Sequence, residues 1–261
     1  MKIQPIIKTK GSKWQSREFI ISSFPENYDQ MTYIEPFCSS ASIFLNKTPS
    51  QTEVLSDTDE GLICILKCLR DESKEFISRI KRTKCSERAF KIALNKSQSE
   101  FDDYFEKGIN EYILRKMSRN GLKKKFACSE KFMDESENAW EEELEKLHET
   151  SERIKNSIIL CKDFVDVIKA WDEEGTLFYL DPPTLRSVGL EESPEPYELS
   201  VEDHMNLINL AKNARAKVVI SGHSCPLYNR SFKNWKCKKN PTSANKTKSK
   251  DNKIECIWYN Y

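Results

Sequence analysis

The sequence predicts an α/β fold, a doubly wound and mostly parallel sheet carrying a helical insertion, and three observations predict it. Short β-rich apolar runs alternate with segments of helical apolar spacing along most of the chain, the pattern left by strands buried on both faces and joined by crossover helices. From Asp71 to Ser151 that alternation stops and only helical spacing remains. At 261 residues there is room for one sizeable domain and a smaller inserted one, since domains commonly take about 100 to 200 residues. The expected organisation is a principal domain over 1–70 and 152–261, with the insertion over 71–151.

In chain order, strands are expected at Thr32 to Cys38, Glu53 to Ser56, Ser157 to Cys161, Leu177 to Leu180, Lys217 to Ser221 and Glu255 to Tyr259. After the second strand, Leu62, Ile65, Leu66 and Leu69 make one apolar stripe of a helix. Through the insertion, Phe76, Ile77, Ile80, Phe90, Leu94, Phe101, Tyr104, Phe105, Ile109, Tyr112, Ile113 and Met117 recur at helical spacing. The Lys-, Ser-, Thr- and Asn-rich run Asn240 to Asp251 is expected to be a loop before the last strand. Ile257, Trp258 and Tyr259 read as an interior strand rather than a stacking surface.

Composition excludes several classes. No run approaches the roughly 18 to 20 apolar residues that span a bilayer, and Met1 to Lys13 lacks a signal peptide's apolar core, so residence in the cytosol is expected. Nine cysteines are scattered without a Cys-x-x-Cys pair, and His148, His204 and His223 lack metal-ligand spacing. Neither a metal site nor a disulfide framework is therefore expected, and Cys64 and Cys68 read as buried reduced thiols. Net charge is +1, so contact with a polyanion has to come from local clusters. One cluster is Arg115, Lys116, Arg119, Lys123, Lys124 and Lys125; another is Lys233, Lys236, Lys238, Lys239, Lys246, Lys248, Lys250 and Lys253. An acidic run from Asp134 to Glu145 stands between them, and solvated faces are the ordinary meaning of such runs.

Three segments can carry chemistry. Tyr33-Ile34-Glu35-Pro36-Phe37-Cys38-Ser39-Ser40-Ala41-Ser42 runs from a strand into small residues, which is how α/β folds bring backbone close to a ligand at the sheet's carboxyl edge, or simply make a tight turn. Asp57-Thr58-Asp59 follows the second strand, where one carboxylate suits a ribose hydroxyl pair and the other can cap the helix starting near Glu60. Leu177 to Leu180 ends in Asp181-Pro182-Pro183-Thr184. Proline fixes the backbone there and removes a competing N–H, leaving a carboxylate and a rigid carbonyl side by side as acceptors. Two acceptors are what a planar amino group needs if its lone pair is to be drawn out of conjugation and turned on an electrophilic methyl.

With these residues in view, the chain resembles the Dam-type adenine-N6 DNA methyltransferases, in particular their phage and prophage branch. The resemblance rests on Asp181-Pro182-Pro183, Glu35-Pro36-Phe37, Asp57, Gly11-Ser12-Lys13-Trp14, Ser118-Arg119-Asn120-Gly121-Leu122-Lys123, Glu137-Asn138-Ala139-Trp140, Asp163-Phe164, Ser221-Gly222, Pro226-Leu227-Tyr228 and Glu255-Cys256-Ile257-Trp258. It implies the Rossmann-like fold of S-adenosylmethionine-dependent methyltransferases, with the helical insertion recognising double-stranded DNA. It also implies catalysis through Asp181, Pro182, Pro183 and Thr184, and cofactor contacts from Lys13, Trp14, Glu35, Phe37, Cys38, Ser39, Asp57, Asp163, Phe164 and Asp181. Ser118, Arg119, Asn120, Lys123, Lys124 and Lys125 would meet DNA. For Trp14 and Phe37 core packing is an equal reading; His204 and His223 are expected to be structural or surface residues. A monomer in the cytoplasm of a bacterial host follows, with no metal and no membrane.

Departures from the family pattern set the alternative, a catalytically weak or inactive DNA-binding relative. Ser39 and Ser40 replace glycines in the cofactor loop, where a left-handed conformation costs a side chain about 1 to 2 kcal/mol. Thr184 replaces the aromatic ring that stacks on a flipped adenine, a contact worth about 1 to 3 kcal/mol. His223 stands where the family has Tyr, and a Gly-rich stretch expected after Lys131 is shortened to Phe132-Met133-Asp134-Glu135. An amino group in RNA or protein is a third substrate reading.

Overall fold

The computed structural model describes residues 2–7, 9, 11–127, 137–185, 197–240 and 254–261, the side chains of 137–141 excepted. The shortened stretch after Lys131, the Asn-Ala-Trp side chains, most of the 240–251 loop and Lys246, Lys248, Lys250 and Lys253 lie outside these residues, as does the start of the acidic run. Two compact units are distinguished, one of Met1–Gln15, Ser39–Lys47 and Asp59–Cys161, the other of Ser16–Cys38, Thr48–Thr58 and Lys162–Tyr261.

Strands β1 (Thr32–Glu35), β2 (Thr52–Ser56), β3 (Ile158–Leu160), β4 (Thr176–Leu180), β5 (Lys217–His223), β6 (Lys236–Lys239) and β7 (Glu255–Tyr259) form a sheet in the order β3-β2-β1-β4-β5-β7-β6. The fold is thus the mostly parallel α/β arrangement that the alternation predicts. β1 pairs in parallel with β2 and with β4, β4 pairs in parallel with β5, and β7 runs antiparallel between β5 and β6. β4 is buried at every position, as an apolar run without alternation should be. β1 is shorter than expected because Pro36, which cannot donate to a ladder, follows Glu35 directly.

β6 is the strand the sequence concealed. Lys236-Cys237-Lys238-Lys239 carries no apolar alternation, and its lysines read as part of a solvated cluster. As the outermost strand among the described residues it has one unpaired edge there, and lysines on such an edge discourage pairing with another chain.

In the first unit, α2 (Glu60–Asp71) buries Leu62, Ile65, Leu66 and Leu69 together with Cys64 and Cys68. The latter two thiols are free, and burial pushes that of Cys64 up to about 11 and raises that of Cys68 further. Cys85, by contrast, is disulfide-bonded, where no disulfide framework was expected. The described residues between Asp71 and Ser151 contain α3 (Ser73–Arg82), α4 (Glu87–Lys96), α5 (Tyr104–Lys116), a 3-10 turn at Arg119–Gly121 and α6 (Glu137–Ile154, which continues past Ser151). α5 packs closely on α2 at Gly108, where a Cβ would lie 2.5 Å from Cys68 Sγ and 3.0 Å from the Cys64 carbonyl oxygen.

In the second unit, α1 (Arg17–Ile21) precedes β1, and α7 (Phe164–Trp171), α8 (Val201–Asn213) and α9 (Pro226–Ser231) follow β3, β4 and β5. Ser200 and Asp203 form a reciprocal capping box on α8. Next to Asp203, His204 is 1% exposed, with Nδ1 2.9 Å from the Tyr228 hydroxyl. Its Nε2 is buried without a hydrogen-bond partner among the described residues. His204 is therefore a core residue, as expected, and burial pushes its pKa down, opposed by Asp203.

The sign of the resulting pH dependence follows from linkage. The unfolded chain takes up the His204 proton near the ordinary value of about 6.5, before the folded protein does, so stability falls as pH drops below that value towards the depressed folded pKa. Urea unfolding between pH 7.5 and 5.5 should show a stability loss on acidification that is smaller in His204→Phe; equal slopes would refute this role for His204.

Candidate active site

Parallel strands deliver their carboxyl ends to one edge, and the register aligns them: Glu35 pairs with Leu55, Ile34 with Phe178, and Leu180 with Ile220. Phe37, Asp57 and Asp181 therefore follow their strands, and Ser221 lies near the end of β5, at the same edge of the sheet. The chain order reverses at β1, with β2 on one flank and β4 on the other, which makes the gap above β1 and β4 the switch point where α/β sheets take ligands. Neighbouring strands lie about 4.8 Å apart, so the turns after β2 and β4 are separated laterally by about 10 Å, the span of a nucleoside.

Around that edge, Asp57 is half-buried. The Phe37 ring pairs with that of Phe164, centroids 5.3 Å apart and planes at 31°. Phe164 is 3% exposed, while Asp163 is exposed and caps α7 by accepting from the Val165 N–H at 2.8 Å. Cys38 is buried and its N–H donates to the Ser56 carbonyl at 2.9 Å, tying the turn after β1 to the end of β2. Glu35 points into the interior, accepting from the Tyr33 hydroxyl at 2.6 Å.

At the end of β4, Asp181 is half-buried, Pro182 buried and Thr184 exposed. Asp181 Oδ1 accepts from Ser221 Oγ at 2.8 Å, and Ser221 Oγ lies 2.8 Å from the Tyr179 hydroxyl. Tyr179 is buried, and burial together with the Asp181 charge raises its pKa well above the ordinary phenol value. The carboxylate is thus fixed from beneath.

In the first unit, the turn of small residues is strained where glycines would be at ease. Ser39 has φ 43° and Ala41 φ 51°, so the second left-handed position falls on Ala41 rather than Ser40. Hydroxyls hold the turn: Ser40 Oγ lies 2.8 Å from Ser42 Oγ and 3.2 Å from Ser12 Oγ, and Ser39 Oγ donates to Thr9 Oγ1 at 3.1 Å. Lys13 and Trp14 are half-buried.

Asp59 is the capping member of the acidic pair, accepting from the Leu62 N–H at 3.1 Å. Its carboxylate also receives Arg115 Nη2 at 2.8 and 2.7 Å, and Arg115 Nε donates to Glu111 at 3.1 Å. Burial alone would lower the Arg115 pKa, but Asp59 and Glu111 outweigh it and the net direction is up. Glu111 in turn accepts from Lys123 Nζ at 3.0 Å. Lys116 pairs with the buried Glu143 at 2.6 Å. Arg115, Lys116 and Lys123 are therefore engaged internally, a use that their place in a basic cluster concealed. Arg119, Lys124 and Lys125 are exposed and make no ion pair among the described residues. Ser118 is buried and accepts from the Lys123 N–H at 2.9 Å; Asn120 takes φ 53°. Removing the Arg115 guanidinium would strand two buried carboxylates, so Arg115→Met should cost about 3 to 5 kcal/mol in urea unfolding, whereas Lys123→Met, at a site 34% exposed, should cost at most about 1 kcal/mol. Equal costs would contradict the network.

No group of three or more metal-ligating side chains that could hold an ion occurs among the described residues, and no helix there is long and apolar enough to cross a membrane. Comparison with known proteins adds identity to this geometry. Residues 10–252 match the family model of the D12 class N6 adenine-specific DNA methyltransferases. The chain is also 22% identical, over the whole of both sequences, to the type II methyltransferase M.MjaIII of Methanocaldococcus jannaschii. The chain belongs to the D12 class family.

Proposed function

We propose that this D12 class N6 adenine-specific DNA methyltransferase works at the carboxyl edge of its sheet, with Asp181 and the Pro182 carbonyl as the groups that activate the target amino group. Membership of the family implies S-adenosylmethionine as methyl donor and DNA as substrate. The observation that carries the reading is Asp181, held by Ser221 at the end of β4 beside the turns bearing Phe37 and Asp57.

The residues present suit such a donor. Asp57 at the tip of β2 offers a carboxylate to ribose hydroxyls, and the half-buried Phe37 ring, backed by buried Phe164, offers apolar surface to a purine. Asp163 at the start of α7 and Cys38 in the turn after β1 are further contacts in this reading. Glu35 acts from within, through Tyr33. Lys13, Trp14 and Ser39, in the other unit, are assigned by resemblance.

S-adenosylmethionine, when bound, supplies a methyl carbon made electrophilic by its sulfonium. Asp181 and the Pro182 carbonyl accept the two amino hydrogens of an adenine flipped from the duplex, at a cost of a few kcal/mol in unstacking. Two such acceptors would draw the N6 lone pair out of conjugation and hold the amino group for attack on the donor. With the donor bound, Asp181 and the Pro182 carbonyl would hold N6 for methylation, and the surplus N6 proton would leave for solvent. Pro183 stiffens the turn, and the enzyme contributes positioning and electrostatics without a covalent intermediate.

Arg119, Lys124 and Lys125 are the exposed cations assigned to DNA phosphate, with Ser118, Asn120 and Lys123 shaping the loop that carries them, and residues 71–151 are assigned to target recognition. Their affinity should fall steeply with salt. In this reading the protein acts as a monomer, in the bacterial cytoplasm where its DNA lies.

A weak or inactive relative is favoured by one observation, the exposed, non-aromatic Thr184. Tritiated methyl transfer to unmethylated DNA should give incorporation that Asp181→Ala abolishes, and Thr184→Tyr should raise kcat/KM about 5- to 150-fold, the equivalent of about 1 to 3 kcal/mol of stacking. No incorporation by folded wild-type protein at high concentration, with incorporation partly restored by Thr184→Tyr, would establish the inactive reading instead.

A further inference from the structure

We infer that Ser221 and Tyr179 are positioning residues for methyl transfer, forming a directed hydrogen-bond chain, Tyr179 to Ser221 to Asp181, that orients the Asp181 carboxylate at the carboxyl end of β4. The inference rests on Asp181 being the acceptor for the adenine amino group.

The register makes the chain possible. Leu180 is opposite Ile220 and Tyr179 opposite Val219 in the parallel β4–β5 pair. Side chains two apart along a strand share a face, so Tyr179, Asp181 and Ser221 converge on one side of the sheet at its carboxyl end. Proton counting then sets the direction. Ser221 Oγ has a single hydrogen and donates it to Asp181 Oδ1 at 2.8 Å. The 2.8 Å contact between Ser221 Oγ and the Tyr179 hydroxyl must therefore have Tyr179 as donor. Burial and the charge of Asp181 keep the phenol protonated and able to donate.

Ser221 is 0% exposed and Tyr179 2% exposed, so water does not compete for these hydrogen bonds and each strengthens the next. The chain does two things for the reaction. It fixes the rotation of the Asp181 carboxyl group about its Cβ–Cγ bond, and it occupies Oδ1 with a donor from below. A freely rotating carboxylate would present either oxygen over a wide arc, whereas transfer requires the N6 lone pair in line with the S–C bond.

The experiment is steady-state methyl transfer to unmethylated duplex DNA with S-adenosylmethionine, comparing wild type, Ser221→Ala, Ser221→Thr, Tyr179→Phe and Asp181→Ala, with a thermal melt of each. Ser221→Ala should lower kcat on the order of 10- to 100-fold, with KM for DNA and for the donor within about twofold of wild type. Ser221→Thr, which restores the hydroxyl, should recover most of kcat, and Tyr179→Phe should lower it by a smaller factor. If Ser221→Ala does not fold, Tyr179→Phe with an unchanged melt decides, and a wild-type kcat there overturns the inference. It is equally overturned if Ser221→Ala keeps kcat within twofold while Asp181→Ala is dead. An active Asp181→Ala would instead overturn the underlying assignment of Asp181.

Discussion

Parallel registration of β1, β2, β4 and β5 is the constraint on which the functional geometry depends. Each strand enters from the same side and leaves at the same edge, so residues far apart in sequence, Phe37, Asp57, Asp181 and Ser221, come to one edge of the sheet without any of them having to be placed by a long loop. A shift of one residue in any pair would turn side chains to the opposite face and separate Ser221 from Asp181. The apolar interior protects the register: Ile34, Val54, Phe178 and Val219 are all fully buried. The same residues that make the core thus aim the chemistry.

Electrostatics divides labour between neighbours that look alike. Asp57 and Asp59 are two residues apart, yet Asp59 is used up as helix cap and partner of Arg115, while Asp57 stands at the tip of β2. A buried ion pair stabilises little by itself, but a broken one is costly. Arg115 and Glu111 together connect the start of α2 to the loop of Lys123, which gives exposed Arg119, Lys124 and Lys125 a rigid base. Rigid support for an exposed basic loop matters because ordering a long side chain on binding costs free energy that preorganisation avoids.

Much of this was legible beforehand, for identifiable reasons. β7 falls at Glu255–Tyr259 as expected, because an apolar run flanked by turn-forming residues leaves little choice. Asp59 as a cap could be read from its place before a helical stripe. Long-range pairing left no such trace: Arg115 meets Asp59 across 56 positions, and Lys116 meets Glu143, so two cations counted as solvent-facing are buried or nearly so. β6 was invisible because its identity comes from a neighbour's free edge rather than from its own lysines. The strained turn was half legible. The need for left-handed backbone is met at Ser39, but the second such residue is Ala41, and the hydroxyl contacts among Ser12, Ser40 and Ser42 emerge only when the segments are folded together.

That Asp57 and Asp181 serve one ligand-binding edge is the centre of the account, and it can be tested without turnover. Calorimetric titration with S-adenosylhomocysteine, the unreactive product of the methyl donor, should show a single site on the wild-type protein and affinity at least about tenfold weaker in folded Asp57→Ala, the loss expected when a charge-assisted hydrogen bond to a ribose is removed. Undiminished affinity in Asp57→Ala would contradict it.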